Sequence, residues 1–211
     1  MKKKKKLIYL GTGSNSPHLV KIGQDEIEKV FNGEDGGVFI EPADGVMESW
    51  DFDRNVNQGE AASELFELFV KYMPTNEQEA LIVLFSLIAL PLKRLTDTVP
   101  LIKVHGESSA GKTQIAKAVV NLFYGNENAV GDMTDASKFD QASVRPIMIF
   151  DNKEVVSDPQ TINFLLYSAT GGVREKRNRQ TERGTIKQIV DNLSIITAIN
   201  PFEKQELLNR S

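Results

Sequence analysis

The chain has 211 residues, a formal net charge of -4, and 40% hydrophobic and 26% charged residues. This length fits one large or two small domains, and the apolar fraction is sufficient for a packed core without disulfide bonds. Cysteine is absent, which excludes disulfides and thiolate metal sites and suits a reducing compartment, so we expect a cytoplasmic protein.

The amino terminus resembles the basic end of a signal peptide, because a run of lysines follows Met1. Only residues 7–10 are apolar before a glycine-rich turn, so the hydrophobic region of a signal peptide is missing. The lysine run is interpreted as a solvated tail, with a nucleic-acid contact or a localisation signal as weaker alternatives. Residues 81–92 are the most apolar stretch but fall far short of the ~20 residues that cross a bilayer, so we expect a buried helix and no membrane partner.

Residues 1–58 predict a small β-rich module. Short apolar runs at residues 7–10, 19–22 and 38–40 are predicted strands, separated by glycine and other turn residues. Residues 25–31 fit a short helix, although Val30 and Phe31 could equally begin a strand. The Gly-Thr-Gly-Ser sequence from Gly11 is tempting as a nucleotide loop, but it lacks a third glycine and a following helix, so it predicts a turn.

Residues 59–98 predict two helices. Residues 59–74 place apolar side chains on one face and glutamates on the other, and Pro74 ends this pattern. Thr75 begins a Thr-Asn-Glu-Gln sequence with capping-box spacing, which predicts a second helix that runs to Leu90 before Pro91. Nothing in the first module is large enough to cover so apolar a surface, so both helices are expected to pack on the sheet of the next segment.

The most specific motif is His-Gly-Glu-Ser-Ser-Ala-Gly-Lys-Thr at residues 105–113, which fits G-x-x-x-x-G-K-S/T. A strand-like run at 99–104 precedes it and a helix-like run at 113–124 follows, which is the context that a phosphate-binding loop requires. Lys112 is expected to neutralise the β- and γ-phosphates of ATP, and Thr113 to ligate Mg²⁺. The predicted nucleotide-binding residues are Gly106, Glu107, Ser108, Ser109, Ala110, Gly111, Lys112, Thr113 and Gln114.

Two later apolar runs end in polar residues. Residues 145–151 read as a strand buried on both faces, and the run ends in Asp151. An acid at the carboxyl end of such a strand can hold a Mg²⁺-bound water, so we interpret Asp151 as the Walker B acid, with a simple turn cap as the alternative. Residues 193–199 predict a third strand, and Asn200 at its tip is expected to orient the attacking water or sense the γ-phosphate.

A basic hairpin is predicted between these two strands, from residues 173–181 and 185–190. From residue 174 to residue 187 the chain has six basic and two acidic residues, whereas the whole chain is negative. This segregation suggests contact with an anionic partner, for which nucleic-acid backbone is the first choice and an acidic neighbouring subunit the alternative. The basic residues are Arg174, Lys176, Arg177, Arg179, Arg183 and Lys187.

In this order the motifs resemble an AAA+ ATPase of the superfamily-three-helicase and MCM-like group. More narrowly, several segments are similar to helicase- or primase-associated ATP-binding proteins of phages and mobile elements. That resemblance implies a P-loop NTPase core at residues 99–211, with a β-hairpin before the sensor strand and the residue 1–58 module in front. The segments that carry it are residues 9–13, 106–113, 150–152, 169–172, 199–200 and 207–210.

The resemblance implies a Mg²⁺-dependent ATPase motor, a helicase that acts on single-stranded or forked DNA during replication. It also implies a homo-oligomer such as a hexameric ring, in which Arg210 could reach the nucleotide of a neighbour. Asn152 departs from the group, since many relatives have a glutamate there. Either Glu154 substitutes, a glutamate comes from elsewhere, or hydrolysis is slow.

The chain also stops at Ser211, before the last core strand and the helical lid of the group, so we expect a truncated chain or a minimal ATPase. Because Asn152 leaves the polarising glutamate in doubt, a different class of protein stays open. That alternative is a nucleotide-gated loader, regulator or scaffold with little or no hydrolysis.

Overall fold

The computed structural model describes most of the chain. It begins with an antiparallel sheet and continues through two helices into a parallel sheet that is flanked by helices. The described residues are 7–12, 16–23, 26–34, 36, 55–73, 76–96, 98–124, 135–143, 145–152, 159–177, 185–190, 192–201, 207 and 209. The strands are β1 Ile8–Gly11, β2 His18–Ile22, β3 Ile27–Phe31, β4 Ile102–His105, β5 Ile147–Phe150, β6 Gly172–Arg177, β7 Thr185–Val190 and β8 Leu193–Ala198. The helices are α1 Gln58–Tyr72, α2 Glu77–Thr96, α3 Lys112–Tyr124, α4 Asp135–Ala142 and α5 Pro159–Thr170.

The first three strands form an antiparallel sheet in the order β1-β2-β3. Two predicted strands are confirmed, and β3 shows that the helix considered for residues 25–31 is wrong. Lys21 and Glu28 are opposite each other in β2 and β3 and form a 2.6 Å ion pair, which helps to fix this register. The Gly-Thr-Gly-Ser segment begins at the last residue of β1, and residues 13 and 14 of the predicted turn lie outside the described residues. Buried Thr12 donates a 2.8 Å hydrogen bond to the carbonyl of His18. The predicted strand at 38–40 lies outside the described residues.

Helices α1 and α2 form where the apolar pattern predicts them, but two details differ. The capping box of α2 is one residue later than expected, because Asn76 and Glu79 exchange side chain to backbone hydrogen bonds of 2.9 and 3.0 Å. Asparagine is as good an N-cap as threonine, so the sequence allowed either position. The predicted end at Leu90 is also wrong, since α2 continues through Pro91 to Thr96. A proline inside a helix removes one backbone hydrogen bond and bends the helix without always ending it.

The parallel sheet has the strand order β4-β8-β5. Every residue of β5 and β8 is buried, because helices cover both faces of the sheet. Side chains alternate, so Ile147 and Ile149 join the cluster with α1, α2 and α3, whereas Met148 and Phe150 join the cluster with α4 and α5. The predicted α/β class, with a parallel sheet flanked by helices, is confirmed.

The predicted hairpin forms from β6 and β7, which pair antiparallel with Gly172 opposite Val190. It connects the end of α5 to the beginning of β8, so its base lies at the amino edge of the parallel sheet. Gly171 ends α5 with a left-handed φ of 72°, the conformation that favours glycine at a helix carboxyl terminus. None of the helices in the described ranges is both long and apolar enough to cross a bilayer.

Candidate functional site

Three of the predicted site segments lie at one edge of the sheet. The loop from Gly106 to Gly111 follows β4, Asp151 follows β5 and Asn200 follows β8. Because the three strands are parallel, their carboxyl ends share an edge, and ligands of open α/β sheets bind in the crevice beyond that edge. The sequence predicts the residue types of this site, and the strand order brings them together.

The loop curls through a series of uncommon backbone conformations. Gly106 and Gly111 have φ values of 155° and 80°, and Ser109 has a φ of 65°. A turn closes between Glu107 and Ala110, where the Ala110 N–H lies 3.3 Å from the Glu107 carbonyl oxygen. Three of the six loop residues have positive φ values, and glycine-rich turns of this kind can point successive N–H groups into a concavity that suits an anion. Helix α3 begins directly after the loop, and its N-terminus adds partial positive charge.

Lys112 is folded back over this loop. Its Nζ donates hydrogen bonds to the carbonyl oxygens of Gly106 at 2.9 Å and Glu107 at 2.6 Å. The side chain is nearly buried, with 9% of its surface exposed. An ammonium has three donors, so two bonds to the loop leave one for an anion held in the concavity. Lys112 therefore holds the beginning of the loop in place and keeps a positive charge beside it.

Asp151 is held by two threonines from different parts of the chain. Its Oδ1 accepts hydrogen bonds from Thr113 Oγ1 at 2.8 Å and from Thr197 Oγ1 at 2.5 Å. Thr197 Oγ1 in turn accepts the backbone N–H of Asn152 at 2.9 Å. Asn152 has a φ of 52°, so the chain turns sharply just after the acid. The contact between Thr113 and Asp151 joins the first turn of α3 to the turn that follows β5.

Sequence reasoning missed Thr197. It lies inside a strand whose six residues are all buried, where a hydroxyl is costly unless it is hydrogen bonded. Two hydroxyl side chains, Ser194 and Thr197, in an otherwise apolar buried strand were the available signal. The strand order was needed to show that the partner of Thr197 is Asp151.

The donor set at this edge fits Mg²⁺ with a nucleotide. Mg²⁺ prefers oxygen ligands and is commonly held by one or two protein oxygens together with substrate phosphates and water. The Thr113 hydroxyl and the Asp151 carboxylate, already 2.8 Å apart, are oxygen groups of this kind. The glycine loop, Lys112 and the N-terminus of α3 supply the positive groups that triphosphate oxygens require.

The other predicted catalytic and nucleotide-binding residues are either exposed or outside the described residues. Asn200 is exposed just beyond the carboxyl end of β8, and Gln114 is exposed in the first turn of α3. Glu154 and Arg210 lie outside the described residues. Leu207, three positions before Arg210, is fully buried in the cluster with α4 and α5.

The hairpin divides its basic residues between different environments. Arg174 stacks over the ring of Phe139 in α4, with its Cζ 4.3 Å from the ring centroid. Lys187 lies on the exposed side, 3.9 Å from Glu175. Arg179 and Arg183 are outside the described residues, and for Lys176 and Arg177 only the strand backbone is described.

Neighbouring side chains strengthen the contact between the hairpin and α4. Gln188, opposite Arg174 in the register, donates from Nε2 to Asp140 Oδ1. Val173 and Ile189, on the alternate positions, are about half exposed. One face of the hairpin base is thus packed on the protein, and a partner that reaches the hairpin would meet the other face or the loop beyond it.

No protein-family model matches the sequence, and no curated protein is significantly similar to it. The fold and the site define the class of protein only as far as an α/β protein with a glycine loop, a buried lysine and an anchored carboxylate at one sheet edge.

Proposed function

We propose that this chain is a Mg²⁺-dependent ATP-binding and ATP-hydrolysing domain that acts on DNA, as in a replicative helicase. The observation that carries the proposal is the hydrogen bond between Thr113 and Asp151, next to a loop over which Lys112 is folded. An unrelated glycine loop would need none of these three side chains in this arrangement. A site for a triphosphate and Mg²⁺ uses all of them.

Each residue then has a definite task. The loop amides and Lys112 bind the β- and γ-phosphates, and Thr113 and Asp151 hold Mg²⁺, which neutralises charge that develops on the transferred phosphoryl group. Asn200, at the same edge, is proposed to orient the attacking water or contact the γ-phosphate. The AAA+-like assignment, a ring of identical subunits and a cytoplasmic location belong to the same proposal.

The place of the hairpin supports a DNA partner that is separate from the nucleotide. Its base lies at the amino edge of the sheet, whereas the loop and Asp151 lie at the carboxyl edge. Because Arg174 is packed on Phe139, phosphate contacts are assigned to the remaining basic residues, with Arg177, Arg179 and Arg183 foremost. Such contacts would be strongly salt dependent, since each neutralised phosphate releases counterions.

A nucleotide-gated switch with little hydrolysis is the second candidate, and Asn152 favours it. Its left-handed φ of 52° places an exposed amide, with no carboxylate, directly after the acid. An amide is a poor general base, so slow turnover would follow unless Glu154 or another residue polarises the water.

Both candidates are tested by one set of measurements on the full chain. Fluorescent ATP-analogue binding is measured with Mg²⁺ and with EDTA, and ATP turnover is measured with and without single-stranded and forked DNA. Asp151→Asn is the matched variant, expected to lose most Mg²⁺-dependent turnover while keeping nucleotide affinity. DNA-stimulated turnover supports the motor, and binding without turnover supports the switch. Absence of ATP binding by the wild type would overturn both.

A further inference from the structure

The Thr197 hydroxyl both accepts and donates a hydrogen bond, although the residue has no exposed surface. The Asn152 N–H can only donate, so Thr197 Oγ1 is the acceptor of that 2.9 Å bond. Its own proton is then free to be donated to Asp151, and the hydroxyl oxygen lies 2.5 Å from Oδ1. The chain of donation therefore runs from Asn152 through Thr197 to Asp151.

This series of hydrogen bonds engages only one of the two carboxylate oxygens of Asp151. Thr113 and Thr197 both donate to Oδ1. Within the described part of the chain, Oδ2 has no hydrogen-bond partner. Two donors on one oxygen fix the rotation of the carboxylate, so the second oxygen is presented in one direction.

We propose that Thr197 is a positioning residue for Asp151, which anchors Oδ1 and thereby keeps Oδ2 for Mg²⁺ or a water bound to it. The proposal rests on the proposed nucleotide function. It adds a residue that supports the metal site from β8, the strand that lies between β4 and β5 in the sheet. Asp151 alone, on the turn after β5, could rotate about its side-chain bonds. A hydroxyl at residue 197 limits that freedom, which valine cannot do.

A purely structural role is the competing explanation, in which Thr197 only satisfies the Asn152 N–H. Ser194 offers a matched control, because it lies on the same strand, is fully buried, and its hydroxyl is 2.8 Å from that of Ser168. It is at the opposite end of β8 from Asp151. Removal of either hydroxyl disturbs the strand, but only Thr197 contacts the acid.

The test compares Thr197→Val, Thr197→Ser and Ser194→Ala in the full chain. The affinity for a fluorescent ATP analogue is measured in EDTA and across a Mg²⁺ titration, Mn²⁺ binding is followed by electron paramagnetic resonance, and thermal stability is recorded. We expect Thr197→Val to raise the Mg²⁺ midpoint about tenfold, the equivalent of one charge-assisted hydrogen bond, with little change in EDTA. Thr197→Ser should keep the wild-type midpoint, although loss of a buried methyl lowers its stability.

Ser194→Ala should lower stability without a shift in the Mg²⁺ midpoint. An unchanged midpoint in Thr197→Val, or an equal shift in Thr197→Ser or Ser194→Ala, would refute the positioning role while the proposed function stands. A wild type whose ATP binding ignores Mg²⁺ would overturn both proposals. If Thr197→Val does not fold, Thr197→Cys, whose thiol is a weak donor, takes its place with the same expected shift.

Discussion

Thr113 Oγ1 lies 2.8 Å from Asp151 Oδ1, although 38 residues separate the two in sequence. They follow β4 and β5, which are not neighbours in the sheet, because β8 lies between them. The contact therefore passes over the carboxyl end of β8, where Thr197 reaches the same oxygen. This convergence of three elements on one carboxylate makes the carboxyl edge a single site, so its parts can be tested separately.

The first prediction concerns Lys112, which contacts the loop through two backbone carbonyls. Lys112→Ala should weaken ATP-analogue binding by about 10- to 100-fold, because charge-assisted hydrogen bonds contribute about 1.5 to 3 kcal/mol each. Isothermal titration calorimetry measures this change.

Lys117, farther along α3 and partly buried, is the matched control. Lys117→Ala removes the same charge from the same helix but away from the loop, so its affinity should stay within about twofold of the wild type. Equal losses in both variants would show that Lys112 acts only through general charge, and wild-type affinity in Lys112→Ala would contradict the loop assignment.

The second prediction concerns Asn152, whose φ of 52° is left-handed. Asparagine and glycine tolerate this conformation, whereas other residues lose about 1 to 2 kcal/mol. Asn152→Gly should therefore unfold in urea at nearly the wild-type midpoint, and Asn152→Val at a lower one. All these variants keep the backbone N–H that Thr197 accepts.

Asn152→Glu is the informative variant for turnover, since it places a carboxylate, which can act as a general base, directly after Asp151. We expect it to be destabilised like Asn152→Val and to hydrolyse ATP no faster than the wild type, because the left-handed turn does not direct its side chain as an ordinary strand extension would. A clear rise in turnover would instead show that Asn152 limits hydrolysis. It would then favour a nucleotide-gated switch as the function of the wild-type protein.

The sequence was most informative where a local pattern sets the structure. The Gly-Lys-Thr motif, the amphipathic helices and the buried runs that end in Asp151 and Asn200 each predict their own element, because periodicity and turn chemistry are local. The position of β8 between β4 and β5 is not local, and so neither its order nor the role of Thr197 could be derived. Burial of Leu207 beside α4 and α5 is another contact that only the tertiary structure reveals.

The hairpin shows that a charge count from the sequence does not reveal what each charged side chain contacts. Its excess of basic residues was visible in the sequence, but the packing of Arg174 on Phe139 depends on where α4 lies. A count of charges treats all six residues alike, whereas the structure assigns at least one of them to the protein itself.

The third prediction separates the packing of Arg174 on the protein from the proposed binding of other hairpin residues to DNA. Arg174→Ala should lower the free energy of unfolding by about 0.5 to 2 kcal/mol, the range of cation–π contacts, and leave DNA affinity nearly unchanged. A double change of Arg177 and Arg179 to alanine should do the reverse, with DNA affinity less steeply dependent on salt by about 1.4 to 1.8 logarithmic units per decade. Fluorescence anisotropy at several salt concentrations measures the slope. A steep loss of DNA affinity in Arg174→Ala would place that residue on the nucleic acid instead.

The last prediction concerns Gly172, where β6 begins directly beneath α5. A Cβ at this position would lie 2.5 Å from Tyr167 Cγ and 2.7 Å from Tyr167 Cβ. Rotation of the ring cannot relieve the second contact, because Cβ is bonded to the helix backbone. Gly172→Ala should therefore move the hairpin away from α5 and lower the free energy of unfolding by about 1 to 3 kcal/mol, as overpacked sites do.

Gly11→Ala is the control, since a Cβ there meets nothing within 4 Å. Its free energy of unfolding in urea should stay within about 1 kcal/mol of the wild type, because only chain entropy changes. Gly172→Ala should also weaken DNA binding while ATP affinity is retained, because the hairpin base and the nucleotide loop lie at opposite edges of the sheet. Equal stability of the two variants would show that the Tyr167 contact yields without cost, and an equal loss of ATP and DNA affinity would show that the two edges do not act separately.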